Sequence, residues 1–186
     1  KKIILTTLVL AFTISVNAQW GSKKVKGNGN VVTVKRTTSD YDAIGVGGSF
    51  DVILVKGKEG NITIEGEENI IPYIETEVRG NTLKINYEKN TNIRTTKRLT
   101  VTVTYEDIDK VSLGGSGNIE NEGTIKSSDL TVSLGGSGNI TLNIDADEVS
   151  SKIGGSGNIK LAGNSNELSC SIAGSGSIKA YELSTD

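Results

Sequence analysis

The sequence predicts an all-β fold: a right-handed parallel β-helix, or solenoid, with coils of about 20 residues. The hexamer GGSGNI occurs at residues 114–119, 135–140 and 154–159, and a relaxed copy, AGSGSI, follows at 173–178. Apolar and polar residues alternate on both sides of each hexamer, as expected for strands with one buried face. Glycine accounts for 23 residues and proline for 1, a composition that suits many tight turns.

The N-terminus is predicted to be a signal peptide over residues 1–18. Two lysines precede an apolar segment at 3–16, and small residues at 16 and 18 favour cleavage after residue 18. The apolar segment is shorter than the ~20 residues of a membrane-spanning helix, so an uncleaved anchor is the weaker alternative. Residues 19–40 are rich in Gly, Ser, Lys and Asn and are predicted to be a flexible leader, with a first strand at 31–34 as an option.

Residues 41–186 are predicted to form one domain, with an irregular β part at 41–107 and the repeats at 108–186. Apolar and polar residues alternate over several short segments, which predicts strands with a period of two; these segments are 50–54, 62–65, 83–85 and 99–105. The segment 69–74 contains Pro72 and is predicted to form either a helical turn or a corner.

Alignment of the repeats on the hexamer places apolar residues in columns. Stacking one coil on the next, about 4.8 Å apart, turns each column into a continuous ladder. Cys170 falls in one of these columns and is predicted to be buried and inert, with pairing between two chains as the alternative. The columns are Leu130/Val149/Leu168, Val132/Ser151/Cys170, Leu134/Ile153/Ile172, Ile119/Ile140/Ile159/Ile178 and Asn121/Leu142/Leu161/Ala180.

The hexamers are predicted to be corners. Glycine is expected there because a sharp bend requires a positive φ. The serines and asparagines are expected to satisfy local backbone groups, and the asparagines to form a ladder. This structural corner motif comprises Gly114, Gly115, Ser116, Gly117, Asn118, Gly135, Gly136, Ser137, Gly138, Asn139, Gly154, Gly155, Ser156, Gly157, Asn158, Gly174, Ser175 and Gly176.

Composition argues against most catalytic chemistry. The chain has no His and one Cys, which removes the commonest general base, the commonest metal ligand and any Cys-based zinc site. The GGSGN string is similar to a calcium-binding nonapeptide, but isoleucine stands where that motif requires an acid. We therefore expect no metal, no cofactor and no catalytic residue. A net charge of −2 without a long basic run argues against a nucleic-acid partner.

Two groups of carboxylates are candidates for glycoside hydrolysis. Asp145, Asp147 and Glu148 are predicted to lie between two coils, and Glu120 and Glu122 one coil earlier. Paired carboxyl groups about 5–9.5 Å apart perform this reaction. The short loops build no deep cleft, however, and a general acid needs burial to raise its pKa. A polysaccharide-active enzyme is therefore the least favoured function.

The segments that precede the hexamers also resemble a known family. They are YDAIGVGGSFDVILVKG, ITIEGEENIIPYIETEV and NTLKINYE. From about residue 41 to the end, the chain is similar to the putative auto-transporter adhesin, head GIN domain family of secreted and cell-surface bacterial proteins. The resemblance implies a β-helix-like fold and a cell-envelope location, and it supplies no catalytic residues. Members of that family typically continue through further corners, and a solenoid that ends on an open coil exposes an unpaired edge. We therefore expect this chain either to be short by one or more coils or to be capped by another copy.

We therefore expect a non-enzymatic protein in the periplasm, on the outer-membrane surface or outside the cell, with no membrane span after signal cleavage. Its expected role is to bind a glycan or protein partner. Thr141, Lys160 and Lys179 are predicted to share an outward strip on successive coils. The alternative is a structural protein that self-assembles into a homo-oligomer through open solenoid edges.

Overall fold

A computed structural model describes residues 22–185 as an all-β fold, 66% strand, in which the main sheet curls into a half-barrel. The predicted all-β class is confirmed, while the predicted signal peptide lies outside the described residues. The strands are β1 Lys23–Lys26, β2 Val31–Thr37, β3 Ala43–Gly47, β4 Asp51–Lys56, β5 Asn61–Glu67, β6 Ile74–Arg79, β7 Thr82–Tyr87, β8 Thr91–Arg94, β9 Thr100–Tyr105, β10 Lys110–Leu113, β11 Asn118–Glu122, β12 Ile125–Leu134, β13 Asn139–Ile153, β14 Asn158–Ile172 and β15 Ser177–Thr185.

The main sheet has two arms that meet at β13. Its neighbours follow the order β2-β5-β9-β4-β11-β13-β12-β10-β3-β7-β6, with β14 paired to β13 and β15 to β14, while β1 and β8 form a separate parallel pair. The first residues of β13 pair with β11, and the rest of the strand pairs with β12. One continuous strand of 15 residues therefore replaces the two shorter strands and the loop that the sequence predicts between these corners.

Successive turns of the chain stack in parallel. Asn118 pairs with Asn139, Asn139 with Asn158, and Asn158 with Ser177, at intervals of 21 and then 19 residues. The isoleucines that follow these residues pair in the same register and are buried up to β14. Ala180, the last member of its predicted column, is partly buried against the core, and β15 then slips at a bulge so that Ala162 pairs with Glu182.

A further corner lies within residues 41–107, the part of the chain that was predicted to be irregular. Residues 47–50 join β3 to β4, and these strands pair with β10 and β11 through Val46–Leu113 and Asp51–Asn118. The string GGSFDV is thus a divergent copy of GGSGNI. Phe50 replaces a corner glycine and is buried against Tyr87 in an edge-to-face contact at 5.2 Å.

The N-terminal end of the stack is covered. Strands β2 and β6 pair antiparallel to β5 and β7, and a 3-10 helix, Ile71–Tyr73, contains Pro72 in its first turn. Proline suits that position because its missing N–H would have no helical partner there. Ile70, Ile71 and Ile74 around this turn are buried in the main core. The helical turn, one of the two predicted options, is thus the one observed.

The C-terminal end is open over the described residues. Within residues 22–185, no strand pairs with the second half of β14 on its outer edge. Ile172 is consequently 47% exposed and Tyr181 on β15 is 92% exposed. Cys170 is exposed as well, so the prediction of a buried thiol is wrong although its column is correct. A side chain that points inward is covered only when another turn lies over it.

The prediction of a flexible leader over residues 19–40 is wrong for the strands that the structure describes between residues 23 and 37. Strand β1 pairs with β8, and β2 pairs with β5 along its full length. Between them, the buried carboxylate of Glu67 accepts hydrogen bonds from the backbone N–H of Gly29 at 2.7 Å, Thr96 at 2.7 Å and Lys97 at 3.3 Å, and from the Thr96 hydroxyl at 2.6 Å. One carboxylate thus joins the N-terminal segment to the loop before β9.

We expect Glu67 to make folding stability depend on acid pH. The hydrogen bonds to its carboxylate, first that of the Thr96 hydroxyl, lower the pKa of Glu67 from 4.5 to about 2. Because the pKa of Glu67 is lower in the folded protein than in the unfolded chain, the charged carboxylate stabilises the fold fully above about pH 4.5. That stabilisation is lost as the pH falls from about 4.5 to about 2. Glu67→Gln should therefore unfold more easily than wild type at pH 7, and the difference should shrink across that interval.

The measurement is thermal unfolding at several pH values. Glu65→Gln is the matched control, because Glu65 lies on the same strand but is exposed. A Glu67→Gln difference that stays constant from pH 7 to pH 2 would contradict the role assigned to the charged carboxylate.

Candidate functional site

The outer face of β4, β11, β13, β14 and β15 carries two rows of side chains, which we call the polar face. In-register pairing aligns the residues of each row across neighbouring strands, about 4.8 Å apart. The first row, the amide row, is Asp51, Asn118, Asn139, Asn158 and Ser177; the second is Ile53, Glu120, Thr141, Lys160 and Lys179.

The amide row is a continuous hydrogen-bonded ladder. The Asn118 side chain donates to Asp51 at 2.7 Å, Asn139 to Asn118 at 2.9 Å, and Asn158 to Asn139 at 3.1 Å. The Ser177 hydroxyl donates to Asn158 at 2.7 Å. The asparagines therefore bond one another, as the predicted ladder requires, rather than the local backbone groups that the sequence also suggested. Since an amide has two N–H donors and two oxygen lone pairs, each asparagine keeps one donor and one acceptor for a ligand.

Asp51 ends the ladder and also forms an ion pair with Arg98. Its second carboxylate oxygen accepts a hydrogen bond from Arg98 Nε at 2.8 Å. The Asp51 side chain is 20% exposed, whereas that of Arg98 is 73% exposed. Most of the guanidinium therefore remains open to solvent or to a ligand, while the aspartate fixes its position beside the face.

A groove of about 340 Å³ lies over β4, β11 and β13 on the polar face, and we call it the central groove. Its volume is within the range of small-ligand sites, about 300–1,000 Å³. The walls offer amide, hydroxyl, carboxylate and guanidinium groups, so hydrogen-bond donors and acceptors are both present. The lining residues are Asp51, Val52, Arg98, Asn118, Ile119, Glu120, Asn139 and Thr141.

The predicted outward strip lies on this face. Thr141 pairs with Lys160, and Lys160 with Lys179, as the sequence alignment predicts. Lys160 also forms an ion pair with Glu182 at 3.1 Å. The strip extends the second row of the polar face beyond the central groove toward β15.

The corner glycines bring neighbouring turns of backbone together. At the three GGSGNI corners no glycine has a positive φ, so the predicted conformational reason is wrong. Instead, a Cβ at Gly136 would lie 2.0 Å from the Gly115 oxygen, and one at Gly138 would lie 2.0 Å from the Gly117 oxygen. Space is the constraint: the turn below leaves no room for a side chain at the second and fourth positions.

Of the carboxylates considered for hydrolysis, Asp145 and Asp147 line an open cavity of about 400 Å³ together, whereas Glu120 lines the central groove. Asp145 forms an ion pair with Lys126 at 3.2 Å, and Asp147 accepts a hydrogen bond from Asn166 at 3.2 Å. Both lie within the continuous strand β13, together with Glu148, whereas Glu120 and Glu122 lie on β11. Over residues 22–185, no group of three or more Asp, Glu, Cys or His side chains is arranged to hold a metal ion.

Two groove residues, Asp51 and Arg98, were not identified from the sequence. Asp51 could have been predicted from the sequence, since alignment of GGSFDV with GGSGNI puts it in the asparagine column. Arg98 could not have been. It reaches Asp51 only because β9 pairs with β4 and places Thr100 beside Asp51.

Comparison with known proteins adds a family and several solved structures. Residues 40–186 match the family model described as putative auto-transporter adhesin, head GIN domain. The chain is similar to a crystal structure of a putative lipid binding protein from Parabacteroides distasonis, with 27% identity, a TM-score of 0.72, and coverage of 87% of this chain and 78% of that one. No curated protein matches the chain.

Two further crystal structures are of putative adhesins. The one from Parabacteroides merdae has 25% identity and a TM-score of 0.66, with 87% of this chain and 77% of that chain covered. The one from Parabacteroides distasonis has 23% identity, a TM-score of 0.66 and the same coverage, and supports the fold alone. Among the described residues, 22–185, there is no helix with the length and apolar character needed to cross a bilayer.

Proposed function

Because the chain belongs to the putative auto-transporter adhesin, head GIN domain family, we propose that it is a non-enzymatic adhesion module that binds a glycan through its polar face. The family indicates an exported or cell-surface protein. Export through the signal peptide at residues 1–18, to the periplasm, the outer-membrane surface or the medium, is part of this proposal. A right-handed solenoid is also part of it, supported by the parallel register of the turns and by the crossover preference of β-structure.

The central groove is the observation that carries the proposal. The amide row keeps one free donor and one free acceptor on each asparagine, and Thr141 adds an exposed hydroxyl beside them. Sugar hydroxyls both donate and accept hydrogen bonds, so a surface with alternating donors and acceptors is matched to them. The regular strand spacing repeats the same group every 4.8 Å or so, which suits a ligand with a repeating unit.

The polarity of this face favours a glycan over a protein. The buried centre of a protein–protein interface is mostly apolar and depleted of charged residues. The two rows of the polar face contain one aliphatic side chain, Ile53, and nine polar or charged side chains. A polymer rich in hydroxyl groups is therefore the better chemical match.

We expect Thr141→Arg to reduce binding of the glycan at least about 10-fold, since a bulky side chain would fill the central groove and remove a hydroxyl. The glycan is first selected by screening the full chain on a glycan array, and its affinity is then measured by calorimetry. Thr141 is exposed on the outer side of β13, so the variant should fold normally.

Ser169→Arg is the matched control. It adds the same side chain at an exposed strand position of β14, on the other arm of the sheet. The proposal fails if both variants bind the selected glycan as wild type does, or if no glycan on the array is bound by the wild-type chain.

Self-assembly is the second candidate, and the apolar side chains exposed beside the unpaired half of β14 favour it. Ile172 and Tyr181 are exposed there, and Leu168 is only partly covered. An apolar surface beside an unpaired strand edge favours association with another copy. The isoleucine comparison described in the Discussion tests this candidate.

A further inference from the structure

A second cavity lies where the terminal strands of the two arms, β2 and β6, approach each other, and β5 and β9 also line it. Its volume is about 890 Å³, larger than that of the central groove. Two cations, Lys35 and Arg36, form part of its wall, and no Asp or Glu lines it. Because the whole chain has a net charge of −2, a cavity lined by cations without acids is a local exception. We call it the cationic cavity.

Arg36 is half-buried and has only neutral partners. Its guanidinium donates to the carbonyl oxygens of Ile71, at 2.9 Å, and Ile74, and to the Thr76 hydroxyl at 3.2 Å. None of the ion pairs formed within residues 22–185 includes Arg36. Burial lowers the pKa of Arg36 below its ordinary value, as expected for a desolvated cation without a counter-charge.

The rest of the wall consists mainly of uncharged hydrogen-bonding groups. Lys35 is exposed and pairs across the strands with Thr63, and Thr37 pairs with Asn61. Over the described part of the chain, the side chains of Lys35, Thr37 and Thr63 form no hydrogen bond that would occupy them. The cavity therefore combines two positive charges with the hydroxyl groups of Thr37 and Thr63, which remain available to a ligand.

We propose that the cationic cavity binds an acidic sugar, with the exposed Lys35 facing its anionic group, the half-buried Arg36 adding positive charge from the other face of β2, and the side chains of Thr37, Asn61 and Thr63 hydrogen-bonding its hydroxyls. A bound carboxylate or phosphate would supply the counter-charge that Arg36 lacks, and charge-assisted hydrogen bonds to such groups are the strong ones. The volume is that of a small-molecule site rather than a single-ion site.

This site is separate from the central groove. Strand β2 is five strands from β13 in the sheet order, a path of about 24 Å along the curved sheet at the usual strand spacing. The proposal therefore does not depend on glycan binding at the central groove, and either one can fail alone.

The test uses the full chain, labelled with ¹⁵N, titrated with galacturonate, galactose and inorganic phosphate and followed by NMR. Galacturonate should shift the amide signals of residues 35–37 and 61–63 in a saturable manner, and galactose should leave them unchanged. Galacturonate should also bind more tightly than phosphate. Absence of shifts at these residues, equal binding of galactose, or tighter binding of phosphate would overturn the assignment to an acidic sugar.

Variants locate the site. Lys35→Gln should weaken galacturonate binding about twofold to fivefold, the effect of losing one exposed charge contact. Lys152→Gln makes the same change at an exposed position on β13, outside the polar face and the cationic cavity, and should leave the affinity unchanged. Lys35 is chosen because Arg36 also holds the 3-10 helix through its carbonyl contacts. Equal affinities for wild type and Lys35→Gln would overturn the proposal.

Discussion

Gly136→Ala should destabilise the protein by about 3 kcal/mol or more, whereas Gly135→Ala, one residue earlier, should change its stability by less than about 1 kcal/mol. A Cβ at Gly136 would lie 2.0 Å from the Gly115 oxygen and 2.8 Å from its carbonyl carbon. That oxygen already accepts the backbone N–H groups of Ser137 at 3.1 Å and Gly138 at 3.2 Å, so the turn below cannot withdraw without losing hydrogen bonds.

Gly135 is a closely matched control because it belongs to the same corner. The nearest atom to a Cβ there would be the Leu113 oxygen at 3.9 Å, an ordinary contact. Its φ is not positive, so alanine adopts the same backbone without strain. An alanine that fits also restricts the unfolded chain, which can stabilise the protein slightly.

Urea unfolding of both variants provides the measurement. The pair Gly155→Ala and Gly154→Ala repeats the comparison one turn later. A Cβ at Gly155 would lie 2.1 Å from the Gly136 oxygen, whereas a Cβ at Gly154 would have no neighbour within 4 Å. Equal destabilisation within each pair would mean that the close approach of the turns is not the reason for glycine at these corners.

Ile140→Ala should cost about 3–4 kcal/mol, and Ile172→Ala less than about 1 kcal/mol. Ile140 is 0% exposed in the middle of the isoleucine ladder, so its removal leaves a cavity between Ile119 and Ile159. Ile172 is 47% exposed at the open end, where water already reaches the side chain. The same chemical change thus compares the interior of the stack with its end.

This pair also tests self-assembly. Urea unfolding is measured at several protein concentrations, with the solution mass followed by light scattering. A stable monomer and a small, concentration-independent effect of Ile172→Ala are expected for the adhesion module. A large effect of Ile172→Ala that grows with protein concentration, together with a dimer that dissociates on dilution, would favour the self-assembling protein instead.

The regular part of the fold was predictable because it depends on period and register alone. Three copies of one hexamer fix which residues stack, and Leu134, Ile153 and Ile172 pair as the alignment requires. The burial of each position was less predictable, since it depends on whether another turn follows. Cys170 and Ile172 have inward positions in the pattern but lie on the last turn of their arm, and both are exposed.

The divergent corner at residues 47–50 was missed because of its context. The chain below it, between β7 and β9, is longer than a four-residue corner and includes β8. Phe50 can therefore occupy a position where every later turn requires glycine, and its ring packs on Tyr87. Once glycine and asparagine had been replaced by Phe50 and Asp51, the repeat was no longer evident from the hexamer alone.

The candidate sites were predictable in part. The strip of Thr141, Lys160 and Lys179 follows from the repeat register. The contact of Arg98 with Asp51, the burial of Glu67 and the cations of the second cavity depend on pairings between segments of unrelated sequence, such as β9 with β4 and β2 with β5. Period and composition contain no information about such pairings.

The most direct test of the central claim is the position of the selected glycan in a crystal structure of its complex with the full chain. The account predicts that the sugar lies in the central groove, with hydrogen bonds to the side chains of Asn118, Asn139 and Thr141. A sugar bound at the open end, against Ile172 and Tyr181, with the central groove empty, would contradict it.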